Sequence, residues 1–397
     1  MIIEANQPGT GTIPAAYQTL SPFEKSFIHL ASIIYEPVNR LTFANCLRRA
    51  GITGPQGEWL TAGTIGPFIK KLQDLELLGS DCRCPDELVE SASRAAVAAG
   101  NFRDMAQAVQ NEIPFSQYQS KWPQRCERAM REYRIALYTS NMVHLENMHD
   151  LLEKQCEDEV VKRFPAVRVC NNPFDENWLR TLAPSLQFYI LSQMVNYSLH
   201  YLTLLERPFA YLKSRETLQA IPPEERLPFL RLLAGFFLWR GNLAEVKILI
   251  RENPESFLAS GMTGCIDFML GLNEQALVHF ERDLQQLQQI SSRKRIYFPS
   301  LAGLFFILAL LKRGDINSFS RIRKFIDTVR TQQKGNLLLG AYEMLDYFLS
   351  AQERGRAERA LDFSAFSSNS ITVLFGTLLR FWLSGCLPAP DAGGAAD

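Results

Sequence analysis

The chain has 397 residues, 47% of them hydrophobic, and its 42 Lys and Arg are balanced by 42 Asp and Glu. That length implies two or three domains and enough apolar material for a sizeable core, while the zero balance excludes a global electrostatic pull toward nucleic acid or an anionic surface. Eight cysteines in so long a chain exclude a disulfide-dense scaffold, so reduced thiols and a cytoplasmic location are expected.

The start, MIIEANQPGTGTIP, has no basic region followed by a long apolar one, so no signal peptide is expected. No stretch has the ~20 apolar residues of a membrane span, so no membrane partner is expected either. Residues 1–20 read as a flexible lead-in. At Ser21 the helix signals agree: a capping serine, Pro22 at the first helical position and Glu24 at the third. Phe23, Phe27, Leu30, Ile33 and Ile34 then fall on one face, and Pro37 ends the helix. A second helix is expected from Arg40 to Ala50. A third is expected from about Thr64 to Leu75, with Ile65, Phe68, Ile69 and Leu72 inward. Leu77 to Pro85 is expected to form a short two-stranded turn. Three short helices and a hairpin describe a winged helix over 21–90, whose third helix would enter a major groove. The phosphate candidates there are Arg48, Arg49, Lys70 and Lys71. Yet residues 1–90 carry seven cations against ten acids, a balance that equally suits a protein-docking winged helix.

From Asp86 to about Pro388 the pattern is almost wholly helical, giving an all-α fold class. Helical stretches keep ending on the same punctuation: Gly100-Asn101, Gly241-Asn242, Leu272-Asn273, Gly314-Asp315 and Gly355-Arg356. Asn242 lies 31 positions before Asn273, and Asn273 lies 42 before Asp315. These spacings bracket the ~34 residues of a tetratricopeptide-type helical pair. A pair cannot bury both faces alone, so pairs stack into a solenoid. A helical domain is therefore expected over 91–221 and tetratricopeptide-like repeats over 222–386, after the break at Pro222-Pro223. Residues 387–397, PAPDAGGAAD preceded by Leu387, read as a disordered tail or linker. Pro123 to Gln155 reads as amphipathic with an acidic end, Asn172 as a helix N-cap, and the aromatic run from Trp178 to Leu202 as core. Leu301 to Leu311 is apolar on nearly every face, which demands a buried helix; Gly314 suits its C-terminal cap.

No catalytic constellation emerges, and the chain is not expected to be an enzyme or to need a cofactor or metal. There is no Gly-rich phosphate loop. His144 and His149 lie five apart, about 140° around a helix, which makes them poor co-ligands. Cys82 and Cys84 would share one face of a strand, as metal ligands or as small apolar residues.

Charge is the functional signal. Between Arg293 and Lys334 ten cations face two acids. Arg293, Lys294 and Arg295 precede the buried helix, while Arg321, Arg323 and Lys324 lie on the next one, opposite Ile322, Phe325 and Ile326. This strip is a candidate contact for nucleic-acid backbone or an acidic partner. The alternatives are a solvated face or a match to the acidic stretch Glu146 to Glu159.

RKRIYFPSLAGLFFILALLKRGD, with SPFEKSFIHLASIIYEPVNR and its wing upstream, resembles the N-terminal accessory region of large bacterial Swi/Snf-type helicases. The resemblance implies a winged helix and a helical-repeat body that precede a RecA-like motor. This chain has no Walker A loop and no DExH-type box. It is therefore expected to bind, position or regulate within a DNA-acting assembly, not to hydrolyse ATP. The rival expectation is a pure protein-interaction scaffold, such as a sensor in a transcriptional regulator or a defence complex.

Overall fold

The structure, a computed structural model, describes residues 14–116, 122–201, 203–291, 297–298, 301–332 and 339–353. Among these residues the fold is helical throughout, with no strand and one isolated bridge, Asn171 to Phe174. The chain divides into two compact units. One comprises residues up to 194 together with 205–211; the other comprises 195–204 and the residues from 212 onward.

The first unit begins with α1 (Ala15–Gln18) and α2 (Pro22–Ile34). Residues 14–20 depart from the expected flexible lead-in, whose residues 1–13 lie outside the described residues. Tyr17 is buried and bonds His29 Nε2 through its hydroxyl at 2.7 Å, and Leu20 is buried too. The capping box of α2 forms as its sequence implies. Ser21 Oγ accepts from the Glu24 N–H, and the Glu24 carboxylate accepts from the Ser21 N–H at 2.9 Å. Asn39 caps α3 (Arg40–Arg49), and α4 spans Gly66–Asp74. Phe23, Phe27, Phe43 and Phe68 from these three helices pack with ring centroids 5.0–5.9 Å apart. Fully burying each such ring contributes about 1.5–3 kcal/mol.

The two-stranded turn expected over 77–85 does not form. Gly79 N–H donates to Arg83 O at 2.7 Å and Cys82 N–H to Gly79 O at 3.1 Å, but no ladder follows. Cys82 sits in the left-handed region at φ 62°, and Pro85, which has no N–H, already precedes α5 (Asp86–Ala98). The turn packs instead on the α2–α3 connection, where Val38 N–H donates to Asp81 O at 3.0 Å.

α5 and α6 (Phe102–Glu112) form a helical pair, and both pack on α2. The single amphipathic stretch expected from Pro123 to Gln155 is two helices, α7 (Trp122–Tyr138) and α8 (Met142–Gln155). Ser140 adopts φ 58° and Asn141 caps α8, so the chain reverses where no glycine announces it. α7 is also not amphipathic along its length: residues 129–138 are all buried. α9 (Glu159–Arg163), α10 (Pro165–Cys170) and α11 (Glu176–Arg180) follow. The N-cap of α11 is Asp175, not Asn172; its carboxylate accepts from Trp178 N–H at 3.0 Å. Asn172 lies in the preceding turn and donates to Asp86 O. A disulfide joins Cys126 to Cys156, correcting the expectation that the thiols are all reduced. Cys46, Cys82, Cys84, Cys170 and Cys265 are free and buried.

α12 (Pro184–Tyr201) and α13 (Glu206–Lys213) each contribute to both units, and α14 (Arg215–Ala220) follows. After a single 3-10 turn at Pro223–Glu225, the second unit continues with α15 (Arg226–Trp239), α16 (Leu243–Glu252), α17 (Met262–Met269), α18 (Asn273–Ile290), α19 (Leu301–Arg313), α20 (Ile316–Gln332) and α21 (Leu339–Glu353). Sequential neighbours pack together: α15 on α16, α17 on α18, α18 on α19, α19 on α20 and α20 on α21. α19 is buried as its sequence requires, with Lys312 and Arg313 exposed at its end.

The turns share one geometry. Gly100, Gly241, Gly271 and Gly314 all lie between φ 72° and 82°, a region an L side chain enters at ~1–2 kcal/mol. At the first three, the glycine N–H closes on the carbonyl three residues back and the next N–H on the carbonyl five back, a Schellman cap. Ser140 and Asn141 make the same two bonds, at 3.1 and 2.8 Å. The expected turn at Arg354-Gly355 and the expected tail at 387–397 lie outside the described residues.

The core of the second unit is an aromatic seam. Phe280, Phe298, Phe306, Phe325 and Tyr342 follow one another at centroid distances of 5.5–6.3 Å. Gly303 allows this approach, since a Cβ there would stand 2.6 Å from Phe298 O and from the Tyr342 hydroxyl.

Candidate functional site

α20 places its cations as its periodicity implies. Ile322, Phe325, Ile326 and Val329 are buried, Lys324 is exposed, and Arg321 and Arg323 are half-buried. Arg321 lies over the Phe306 ring and its Nη1 meets Glu281 Oε1 of α18 at 2.7 Å. Arg313 pairs with Asp315 at 2.8 Å, and Arg330 with Asp346 at 2.8 Å and Asp327 at 3.4 Å. The acids of these pairs come from α18, α20, α21 and the turn before α20. Lys312 and Lys324 make no ion pair among the described residues. Exposed pairs of this kind contribute only ~0–1 kcal/mol, so a polyanion can displace their carboxylates at little cost. Arg293, Lys294, Arg295 and Lys334 lie outside the described residues.

The four candidates of the N-terminal helices are differently placed. Arg49 pairs with Glu112 of α6 at 2.9 Å, and Lys71 with Glu24 of the capping box. The bond from Lys71 holds the Glu24 carboxyl below the usual range. The Arg48 guanidinium donates to Asn45 Oδ1 at 2.9 Å, and Lys70 is exposed without an ion pair among the described residues. Arg49 and Lys71 thus join helices of the first unit to one another. Cys82 and Cys84 are buried, and burial pushes both thiols up. Among the described residues, no three His, Cys, Asp or Glu side chains are grouped as metal ligands would be.

A buried polar cluster escaped sequence reasoning. It is built on α7, where Arg131 and Arg134 are almost fully buried. Arg134 donates to Glu90 through Nε (2.9 Å) and Nη2 (3.2 Å), to Ser32 O (2.7 Å) and to Ser93 Oγ (2.9 Å), with its guanidinium 4.6 Å from the Tyr35 ring centre. Tyr138 donates to Glu90 Oε2 at 2.7 Å, the oxygen that Arg134 Nη2 also reaches. Arg131 donates to Glu132 and to Ile113 O, and its Nη1 stands 3.5 Å from Glu36, which also takes Arg128. Glu132 in turn accepts from Gln110 at 2.6 Å and faces His144 Nε2 at 3.6 Å. Burial pushes the Glu132 carboxyl up, but His144, Arg131 and Gln110 outweigh it and hold it below its usual range. Arg-Glu-Tyr-Arg at 131–134 carried a faint signal. Its charged residues sit within Met130 to Tyr138, a run with no solvent-facing stripe.

This network runs between two open clefts. One, of about 380 Å³, includes Glu36, Glu112, Glu127 and Arg128 in its wall. The other, of about 260 Å³, is framed by α6, the end of α7 and the start of α8.

At the edge of the second unit, Leu270, Leu272 and Ile316 at the α17–α18 and α19–α20 turns are exposed, Ile316 by 85%. Among the described residues, no helix is long and apolar enough to cross a membrane. No protein-family model, curated protein or solved structure matches this chain.

Proposed function

We propose that this chain is a non-catalytic binding module of a DNA-acting assembly, with a winged-helix-like N-terminal part and a tetratricopeptide-like solenoid. Its place is that of the accessory region of a Swi/Snf-type helicase, which it resembles in sequence. The observation that carries the reading is the outer side of α20. Arg321 there is held by one exposed ion pair and Lys324 by none among the described residues, above a rigid buried seam. Arg323 shares this helix, and Arg293, Lys294 and Arg295 extend the basic strip in sequence. Cations displayed on a rigid helix suit a phosphate backbone or an acidic partner. The test is fluorescence anisotropy with single- and double-stranded DNA at ~50 and ~200 mM salt. A protein making several phosphate contacts loses orders of magnitude of affinity across that range. Reversing Arg321, Arg323 and Lys324 to Glu should weaken binding and flatten the salt slope. Unchanged affinity removes the strip from the interface.

A second reading, a protein-interaction scaffold without nucleic-acid contact, is favoured by the exposed Leu270, Leu272 and Ile316 at adjacent turns. A partner recovered equally well after nuclease treatment, with no DNA binding at low salt, selects it.

A further inference from the structure

We propose that the cleft between α6, α7 and α8 binds a tetrahedral oxyanion of the phosphate type. This site is separate from the strip on α20 and does not depend on it. Three elements bring polar groups to one small space: Arg103, Gln107 and Gln110 from α6, Thr139 after α7, and Asn141 and His144 at the start of α8. At about 260 Å³ the cleft is below the ~300–1,000 Å³ of pockets that enclose drug-sized ligands. It suits a single charged group.

The sign of the site follows from how each group is already used. No carboxylate lines the cleft. Glu132 stands behind it, buried, with one oxygen taken by Arg131 at 2.9 Å and the other by Gln110 at 2.6 Å. His144 turns Nε2 toward that carboxylate at 3.6 Å. Its Nδ1 has no partner among the described residues. Asn141 Oδ1 accepts from the His144 backbone N–H at 3.1 Å, leaving the amide –NH2 of Asn141 as a donor. Gln107 is engaged with Asn111 at 3.2 Å, and the Thr139 hydroxyl donates to Ile135 O at 2.7 Å. Arg103 is exposed and has no ion pair among the described residues. The charged group left uncommitted is the Arg103 guanidinium; beside it stand the Asn141 amide –NH2 and His144 Nδ1, while the amide oxygens of Gln107 and Gln110 are neutral acceptors. An oxyanion with several acceptor oxygens takes bonds from Arg103 and Asn141, and from His144 where Nδ1 carries the hydrogen, and its bond to Arg103 is charge-assisted. A cation would meet no free acceptor of full charge.

The test is isothermal titration of the full chain with inorganic phosphate at pH 6.5, against sodium chloride at matched ionic strength, with Arg103→Ala and His144→Gln in parallel. Saturable phosphate binding, weakened about tenfold or more by Arg103→Ala, is expected. Arg103 is exposed, so this variant keeps the fold, which an unchanged melting temperature without phosphate verifies. His144→Gln should weaken binding as well. If it instead lowers the melting temperature by releasing Glu132, the Arg103 variant alone decides. A nucleoside 5′-monophosphate run beside phosphate distinguishes the carrier: binding as tight or tighter assigns the site to a phosphoryl group on a nucleoside, and weaker binding assigns it to the free anion. No saturable response beyond that of chloride, or one that Arg103→Ala leaves intact, overturns the proposal.

Discussion

Replacing Arg134 by Met tests whether the first unit is held by its buried ions. The guanidinium makes four hydrogen bonds, two to Glu90, one to Ser32 O and one to Ser93 Oγ. Methionine fills much of the volume and restores none of them. Glu90 then keeps only the Tyr138 hydroxyl at 2.7 Å inside a low-dielectric interior. Stranding one partner of a buried pair costs about 3–5 kcal/mol. At roughly 2–4 °C per kcal/mol for a domain of this size, the first unit should melt about 6–20 °C lower by calorimetry. Glu90→Leu should cost as much, because it strands the arginine. The double variant removes both charges and leaves Ser93 its bond to Ser32 Oγ at 3.0 Å. It should fall short of the sum of the singles by about 2–3 kcal/mol. Additive losses, or a cost below ~1 kcal/mol for Arg134→Met, would refute the claim that these ions depend on one another.

Burial lowers the pKa of His29 to about 4. Its proton is therefore bound more readily by the unfolded chain, and stability should be lost as pH falls from ~6.5 toward 4, by about 2 kcal/mol at pH 5. His29→Gln, which can still bond Tyr17, should flatten urea midpoints measured between pH 7 and 5; a slope equal to that of the wild type would exonerate this histidine. The Cys126–Cys156 disulfide closes a separation of 30 residues, so its reduction should lower the stability of the first unit by about 3–4 kcal/mol on chain entropy, read by denaturant melts with and without reductant alongside a free-thiol count. Ser140→Gly should stabilise by up to ~1 kcal/mol and Gly241→Ala should cost ~1–2, since both positions have positive φ; thermal midpoints moving the other way would discount the caps. Gly303→Ala should cost about 1–3 kcal/mol through overpacking against the Phe298 carbonyl, seen as a lower melting temperature in the second unit alone.

Local chemistry was legible where a few adjacent residues decide the outcome. Ser21, Pro22 and Glu24 specify a capping box with no help from the rest of the fold, and Gly100, Gly241, Gly271 and Gly314 mark turns because only glycine enters their conformation freely. Ser140 was missed because the same turn is made there by a residue that has to be held in it. The wing failed for a related reason. Alternating residues between Leu77 and Pro85 resemble a hairpin, but the left-handed Cys82 spends the segment on a tight turn. On α20 the outward cations were readable, while Glu281 and Asp346, which neutralise two of them, come from other helices.

What sequence conceals most is a charged residue that belongs inside. Arg134 finds Glu90 at 44 positions and Ser32 at 102, so nothing near it in the chain distinguishes it from a solvated arginine. Arg94 follows the same rule: it donates to Pro173 O at 2.7 Å and Val169 O at 3.2 Å and stacks on Trp178 at 4.9 Å. A guanidinium is planar, and its bonds are directional, so each arginine fixes the rotation and register of the helices it joins. Apolar burial alone would let them slide. The second unit is built mainly on aromatic rings that interlock where Gly303 lets helices approach, with the buried Asp283 accepting from Gly261 N–H at 2.9 Å. The two halves should therefore respond oppositely to conditions. Acid that protonates Glu132, whose carboxyl is held below its usual range, strikes the first unit, and added side-chain volume strikes the second. In the first unit the interior ions also reach the surface, since Glu132 links Arg131 to the His144 edge of the small cleft. A ligand bound there would act directly on a group that holds the core together.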